Sequence, residues 1–427
     1  MVKVQSFTLA KKSSKVAALD RLKESITLSV NSTTQPQVAR KSLMFGLALL
    51  VLLGLNLRPL LTSIGPLTDE LIVATGASFS SISLLTTLPI LMIGVLALFA
   101  GRLTMALGYK RGITLGLVIL TAGLLLRVIP PTIELLLFSA LIGGFGIALL
   151  HIIIPELTKH RYLHRLGMVT GLWSAALMGG AALGAVLTPW FAEQLPERFY
   201  SLAAWAVLAI LTLIIWWAPQ NRVPLANIPP RDQLLKAVRY PRAWFLGAYF
   251  ALVNAGYAGF IAWIAPFYGE FGWPAQQSGN LLALFSLVQV AGALILPALS
   301  HSQDRRPWLI VAVLTQMVGF AGLSFWPEYS PWLWSALCGF GLGGAFPLCI
   351  VMALDHLDNP VQAGRLVSFM QGIGFMFASL MPLLTGWFRD VSGDYSLGWQ
   401  LHIAVGLVIL VFTLRFNPSH YASLFKR

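Results

Sequence analysis

Twelve apolar stretches follow one another along this chain between residues 43 and 415, and most run for 18 or more residues without a charge. A hydrocarbon core about 30 Å thick is crossed by about 20 residues of α-helix at ~1.5 Å per residue. The spacing predicts helices over 43–66, 80–101, 112–130, 134–157, 167–190, 199–218, 243–266, 277–299, 307–326, 331–354, 364–386 and 397–415. The runs are continuous, with no period of two, which excludes barrel strands. The expected fold class is therefore all-α, a membrane protein of twelve helices. Composition agrees: 57% of residues are hydrophobic and 11% charged, against about 25% charged in soluble domains. Soluble enzyme, nucleic-acid binder and secreted scaffold are excluded.

Charge placement sets an expected orientation. All but four of the 29 lysines and arginines fall in the amino-terminal tail, in alternate connections, or at the carboxyl terminus. The basic connections hold Arg102, Lys110 and Arg111, then Lys159, Arg161 and Arg165, the central group from Arg222 to Arg242, Arg305 with Arg306, and Arg365. The connections between them carry Asp69, Glu70, Glu193, Glu197, Glu270, Glu328, Asp390 and Asp394. Positive residues stay on the cytoplasmic side, so both termini are expected in the cytoplasm. The net charge of +13 is then a topology signal, and the expected environment is a lipid bilayer with no nucleic-acid partner.

Residues 1–42 are rich in Ser, Thr and Lys without periodicity and read as a disordered basic tail. The run that follows is too long for a cleaved signal peptide. Cys338 and Cys349 lie 11 residues apart in one run, about 16 Å along a helix, too far to bridge. No metal-ligand spacing or phosphate-binding loop is present. No cofactor, no metal and no catalytic group is expected.

The proline-rich stretch 219–242 divides the chain into bundles at 43–218 and 243–415, with a short tail at 416–427. The halves resemble each other: Ser139-Ala140-Leu141-Ile142-Gly143 returns as Ser335-Ala336-Leu337-Cys338-Gly339, an offset of 196 residues. His160 and His356 keep that offset, and Asn56 and Asn254 nearly do. Matched six-helix halves with a site between them are a transporter architecture.

Gly101-Arg102-Leu103 to Gly108-Tyr109-Lys110-Arg111 resembles the signature of the major facilitator superfamily, although Met105 and Ala106 replace its Asp-Arg pair. Its second-half counterpart keeps Asp304-Arg305-Arg306. Finer resemblance lies in Gly54 to Leu67, Gly171 to Gly180, Gly343 to Cys349, Ala353 to His356 and Phe369 to Phe375. These stretches look like the cyanate porter branch of that superfamily, from about Met44 to the carboxyl terminus. The resemblance implies two pseudo-symmetric six-helix bundles and a plasma-membrane carrier for a small anion. A relative in that branch exports nitroimidazoles, so family alone does not name the substrate.

Arg58 stands near the middle of its run, where a cation costs at least ~2.5–3.5 kcal/mol. No acidic residue lies centrally in any run to pair with it. Its expected partner is an anionic substrate; the competing reading is a guanidinium held by helix carbonyls, including that of Leu55, which Pro59 leaves without its donor. Asn56 either orients the ligand or bonds across helices, and Thr62 shares the Arg58 face one turn on. His151 either carries a coupling proton near neutral pH or is a neutral histidine bonded to a neighbouring helix. Asn254, Tyr257 and Gln289, with Trp173 and Gln371, complete the candidate substrate-binding set.

The favoured reading is a monomeric secondary transporter that moves cyanate or a similar small anion by alternating access. Two alternatives stay open: an exporter of small heteroaromatic drugs, and a membrane sensor or scaffold that transports nothing.

Overall fold

The computed structural model describes residues 40–162, 165–217 and 237–425. Most of the tail before the first span, and residues 218–236 of the central connection, lie outside them. The described residues from 47 onward form one compact unit; of residues 1–46, the described part is the start of the helix Arg40–Leu55. All regular structure among the described residues is helical.

Eleven helical segments are long and apolar enough to cross a membrane. In chain order they are Met44–Thr75, Phe79–Leu98, Ala100–Val128, Ile133–Lys159, Met168–Gln194, Pro241–Gly269, Ala275–Leu299, Arg306–Phe325, Pro331–Leu354, Gln362–Ser392 and Ser396–Thr413. Tyr200–Trp216 is the shorter apolar helix between the fifth and sixth of these, and it breaks at Ala204 into Tyr200–Ala203 and Trp205–Trp216. Counting it in order gives spans 1 to 12.

Span 1 departs from the expected helix ending at residue 66. It continues to Thr75 in four pieces: Arg40–Leu55, Pro59–Thr62, a 3-10 turn at Gly65–Leu67, and Thr68–Thr75. The breaks follow the prolines. Pro59 and Pro66 lack an N–H and crowd the preceding turn, and each sits in the first two residues of a new helical piece. Span 11 also outruns its expected end at residue 386, continuing to Ser392 with an interruption at Ser379. Gly108, inside the basic signature between spans 2 and 3, takes φ of 66°, a conformation nearly reserved for glycine. It turns a short connecting helix into span 3.

Helix packing repeats between the halves. Span 1 packs on span 5 as span 7 packs on span 11; span 3 packs on span 4 as span 9 packs on span 10. Span 2 meets span 4 as span 8 meets span 10, and span 3 meets span 6 as span 9 meets span 12. The two bundles touch through spans 2 and 11 and, symmetrically, through spans 5 and 8. Gly123 and Gly319 stand at the sequence offset of 196 and do the same work. A Cβ on Gly123 would lie 2.5 Å from the Gly143 nitrogen, and one on Gly319 would lie 2.8 Å from the Cys338 nitrogen. Backbones that close leave no room for a side chain, as is common where membrane helices cross. Cys338 and Cys349 are both free and buried.

Candidate functional site

The first break in span 1 shapes the candidate site. Residues 56–58 lie between two helical pieces, and Arg58 sits immediately before Pro59 with φ −115° and ψ −29°. Its guanidinium carbon stands 5.0 Å from the centre of the Tyr257 ring in span 7, a cation–π distance. Arg58 is 8% exposed, and its Nε is buried without a hydrogen-bond partner. No carboxylate lies within ion-pair distance of it among the described residues. Nor does it donate to any backbone carbonyl there. The Leu55 carbonyl, which Pro59 leaves without a donor, instead packs against Gly180 of span 5.

Arg58, Asn254 and Tyr257 line one small void together with Ile90, Ile93, Ala258, Phe375 and Ala378. The void has room for about one water molecule. Its wall comes from spans 1, 2, 7 and 11, so both bundles contribute. The Tyr257 hydroxyl is buried without a partner. A cation, a phenol and an amide thus converge on a space otherwise lined by hydrocarbon. Such a set stabilises a small negative charge and offers nothing for covalent chemistry.

The remaining candidates lie elsewhere. Asn56 does not line the void. Its Nδ2 donates to the Leu52 carbonyl at 2.7 Å and to Thr212 Oγ1 of span 6 at 2.8 Å. Asn254 repeats the first bond, donating to the Phe250 carbonyl at 2.8 Å. The near-repeat in sequence is therefore a repeat in geometry, with only the second copy at the void. Thr62 is fully buried and donates to the Arg58 carbonyl at 3.2 Å, with Gly184 of span 5 against its hydroxyl. Trp173 packs on Gly54. Gln289 is buried with an unpartnered Oε1, but its backbone adjoins Gly343 at the contact of spans 8 and 10. Gln371 is half-buried. His151, also half-buried, meets the void only indirectly, its ring 5.9 Å from that of Phe375 in edge-on contact.

The face carrying the acidic connections is tied shut. Asp390 of span 11 accepts from the backbone of Phe79 and Ser80 at the start of span 2, at 3.1 and 2.9 Å, and from the Ser80 hydroxyl. Arg389 pairs with Glu270 at 2.6 Å and lies over the Phe79 ring at 4.7 Å. Burial holds the Glu270 carboxyl above the usual carboxylate range although Arg389 pulls it down. Glu70 pairs with Arg198 within the first bundle. Nearer the basic face, spans 2 and 11 cross closely: a Cβ on Gly94 would lie 2.5 Å from the Met376 nitrogen. In the second-half signature, Arg305 pairs with Asp355 at 3.0 Å and Arg306 with Asp304 at 2.7 Å.

Arg58 is not the sole buried cation. Arg127 in span 3 is 1% exposed, and its Nε donates to Ser139 Oγ at 2.9 Å. Sequence reading passed over it because an arginine this close to the end of an apolar run ordinarily extends to the interface. The cue was Ser139, which a span 4 helix turns toward span 3.

A family model described as Major Facilitator Superfamily matches residues 43–379. The chain is 46% identical to the cyanate transport protein CynX of Escherichia coli, over 89% of this chain and 99% of that protein. It is 27% identical to the 2-nitroimidazole transporter of Escherichia coli, over 90% of this chain and 98% of that one. Among solved structures, the D-xylose-proton symporter superposes with a TM-score of 0.68 at 14% identity, covering 88% of this chain and 98% of the symporter. A bacterial homologue of the lysosomal transporter Spinster, inward-facing and unoccupied, gives 0.69 at 16% identity over 90% and 98%. These two similarities speak for the fold alone.

Proposed function

The chain belongs to the major facilitator superfamily, and on that premise we propose that it binds cyanate, or an anion of similar size, at Arg58. It is a secondary transporter of the bacterial inner membrane, and alternating access would expose the Arg58 void to each side in turn. The observation that carries the substrate reading is a buried guanidinium facing a void with no carboxylate to neutralise it among the described residues. Leaving a charge unpaired in hydrocarbon is costly, and an anionic ligand removes that cost. Tyr257 and Asn254 then supply short-range donors.

The size of the void favours cyanate over a heteroaromatic ring. A linear triatomic anion needs a small expansion of a space now holding about one water. A nitroimidazole, with a five-membered ring and a nitro group, needs a far larger one. The 46% relative is named for cyanate and the 27% relative for 2-nitroimidazole, in the same order. The charge bias of the connections supports a cytoplasmic basic face and cytoplasmic termini. One chain contains a whole void, which supports action as a monomer. The coupling proton is assigned to His151, beside the Phe375 wall; an inward proton gradient should drive uptake in the wild type and not in His151→Gln.

The test is uptake into proteoliposomes holding the purified protein. Accumulation of labelled cyanate, blocked by unlabelled cyanate and unaffected by excess 2-nitroimidazole, is expected. Movement of 2-nitroimidazole without cyanate would establish the drug-export alternative. Movement of neither would leave the sensor or scaffold alternative standing.

A further inference from the structure

Leu60 lies two residues beyond Arg58, inside the four-residue piece Pro59–Thr62. That piece starts on Arg58 itself, whose carbonyl accepts from Leu61 N at 3.0 Å and Thr62 N at 3.1 Å. In an uninterrupted helix the Leu60 carbonyl would accept from Ile64 N. Here Ile64 N turns to the Leu61 carbonyl at 3.5 Å, so Leu60 is left without its intrahelical donor in a buried place. An orphaned carbonyl in hydrocarbon needs a partner.

The partner is Arg127. Its Nη1 donates to the Leu60 carbonyl at 3.3 Å while its Nε is held by Ser139 Oγ at 2.9 Å. Its Nη2 is buried without a partner, and no carboxylate pairs with it among the described residues. A neutral donor such as glutamine would satisfy one carbonyl at far lower desolvation cost. A guanidinium does what glutamine cannot: its rigid fork spans Ser139 on one side and Leu60 on the other. From span 4, Gly143 leaves the pocket that receives the Leu60 side chain, since a Cβ there would lie 2.8 Å from Leu60 Cδ2. Leu60 is thus held at its carbonyl and at its side chain, one residue past the proline that follows Arg58.

We propose that Arg127 is a positioning residue for the anion site: it grips the interrupted part of span 1 from behind and so fixes where Arg58 stands over Tyr257. The inference rests on the reading of Arg58 as the anion-binding cation.

The experiment is a double-mutant cycle read by cyanate affinity and by uptake kinetics in proteoliposomes. Arg127→Lys keeps the charge but cannot bridge the two acceptors. In the folded protein it should weaken cyanate binding roughly tenfold, the loss of one charge-assisted hydrogen bond. The KM should rise while the maximal rate stays within about twofold. Ser139→Ala, milder and expected to fold in any case, leaves Arg127 in place without its Nε acceptor and should weaken binding about threefold. In an Arg58→Lys background both effects should shrink to under about twofold, because the residue they position is gone. Unchanged affinity in folded Arg127→Lys and Ser139→Ala, or the same loss in both backgrounds, would overturn the inference. The two readings separate cleanly. If Arg58→Lys weakens binding and the Arg127 and Ser139 variants do not, only the positioning role falls. If a folded Arg58→Ala binds like the wild type, the Arg58 reading falls and the inference with it.

Discussion

Asp390 caps the helix that begins at Phe79, its Oδ2 accepting the Ser80 N–H at 2.9 Å across the boundary between the two bundles. The first N–H groups of a helix have no partner inside it and carry the positive end of its dipole. A carboxylate supplied by the opposite bundle therefore does two things at once. It completes span 2, and it ties the acidic face shut for as long as the bundles stay together there.

Removing that cap should loosen the acidic face. In Asp390→Ala the Phe79 and Ser80 N–H groups lose their acceptor, a cap worth about 1 kcal/mol. The equilibrium should move roughly fivefold toward the state open on that side. Reaction of a cysteine at Ala258, on the wall of the void, with an impermeant thiol reagent applied to the acidic face reads this directly. Faster labelling in the Asp390→Ala background is expected, and equal rates would show that the cap is incidental to gating.

The crossing of spans 2 and 11 at Gly94 makes the opposite prediction. Even a methyl group at Gly94 would stand 2.5 Å from the Met376 nitrogen, and a backbone atom cannot move aside alone. Gly94→Val should hold the bundles apart on the basic side. Transport should fall at least tenfold while the protein still inserts and purifies, and a cysteine at Ala378 should label faster from the basic face. Wild-type uptake by Gly94→Val would mean that the two spans have slack that the packing does not show.

His356 gives a pH dependence with a definite sign. It follows span 10, with Nδ1 donating to the Met352 carbonyl at 2.7 Å and Nε2 accepting from Arg242 Nε at 3.1 Å. Its ring stacks on Tyr421 at 3.7 Å, which docks the turn Pro418–Ser423. Burial, with Arg242 beside it, pushes the imidazole down to about 4. The folded protein therefore favours the neutral ring more than the unfolded chain does, whose histidine titrates near 6.5. The stabilisation is whole above about pH 6.5 and is lost as pH falls through about 4. Thermal unfolding between pH 7 and pH 4 should show a loss of a few degrees in the wild type that His356→Gln lacks. Parallel profiles for the two proteins would remove His356 from the account.

Much of this was legible in the sequence, for reasons that differ residue by residue. Uncharged runs report helices because hydrocarbon admits little else, and the 196-residue offset reports paired packing such as that of Gly123 and Gly319. The burial of Arg58 was legible because a cation in mid-run must face the protein interior. Asn56 and Asn254 look alike in sequence and make the same bond four residues back. Only the fold reveals that Thr212 completes the partners of Asn56 while Asn254 faces the void. Arg127 was hidden because its importance lies in a carbonyl, that of Leu60, which becomes an acceptor only once two prolines have broken span 1. Tertiary partners of backbone atoms leave little trace in a single sequence.

The central claim is that Arg58 supplies the charge that a small anion binds, and cyanate binding by Arg58 variants measures it most directly. Purified wild type, Arg58→Lys and Arg58→Ala would be compared for stabilisation by cyanate and for its uptake in proteoliposomes. A charged hydrogen bond of about 1.5–3 kcal/mol corresponds to roughly 10- to 100-fold in affinity. Arg58→Ala should lose at least that much while unfolding at a temperature close to that of the wild type. Arg58→Lys should fall between the two, keeping the charge without the planar fork. A folded Arg58→Ala that binds and carries cyanate as the wild type does would contradict the account at its centre.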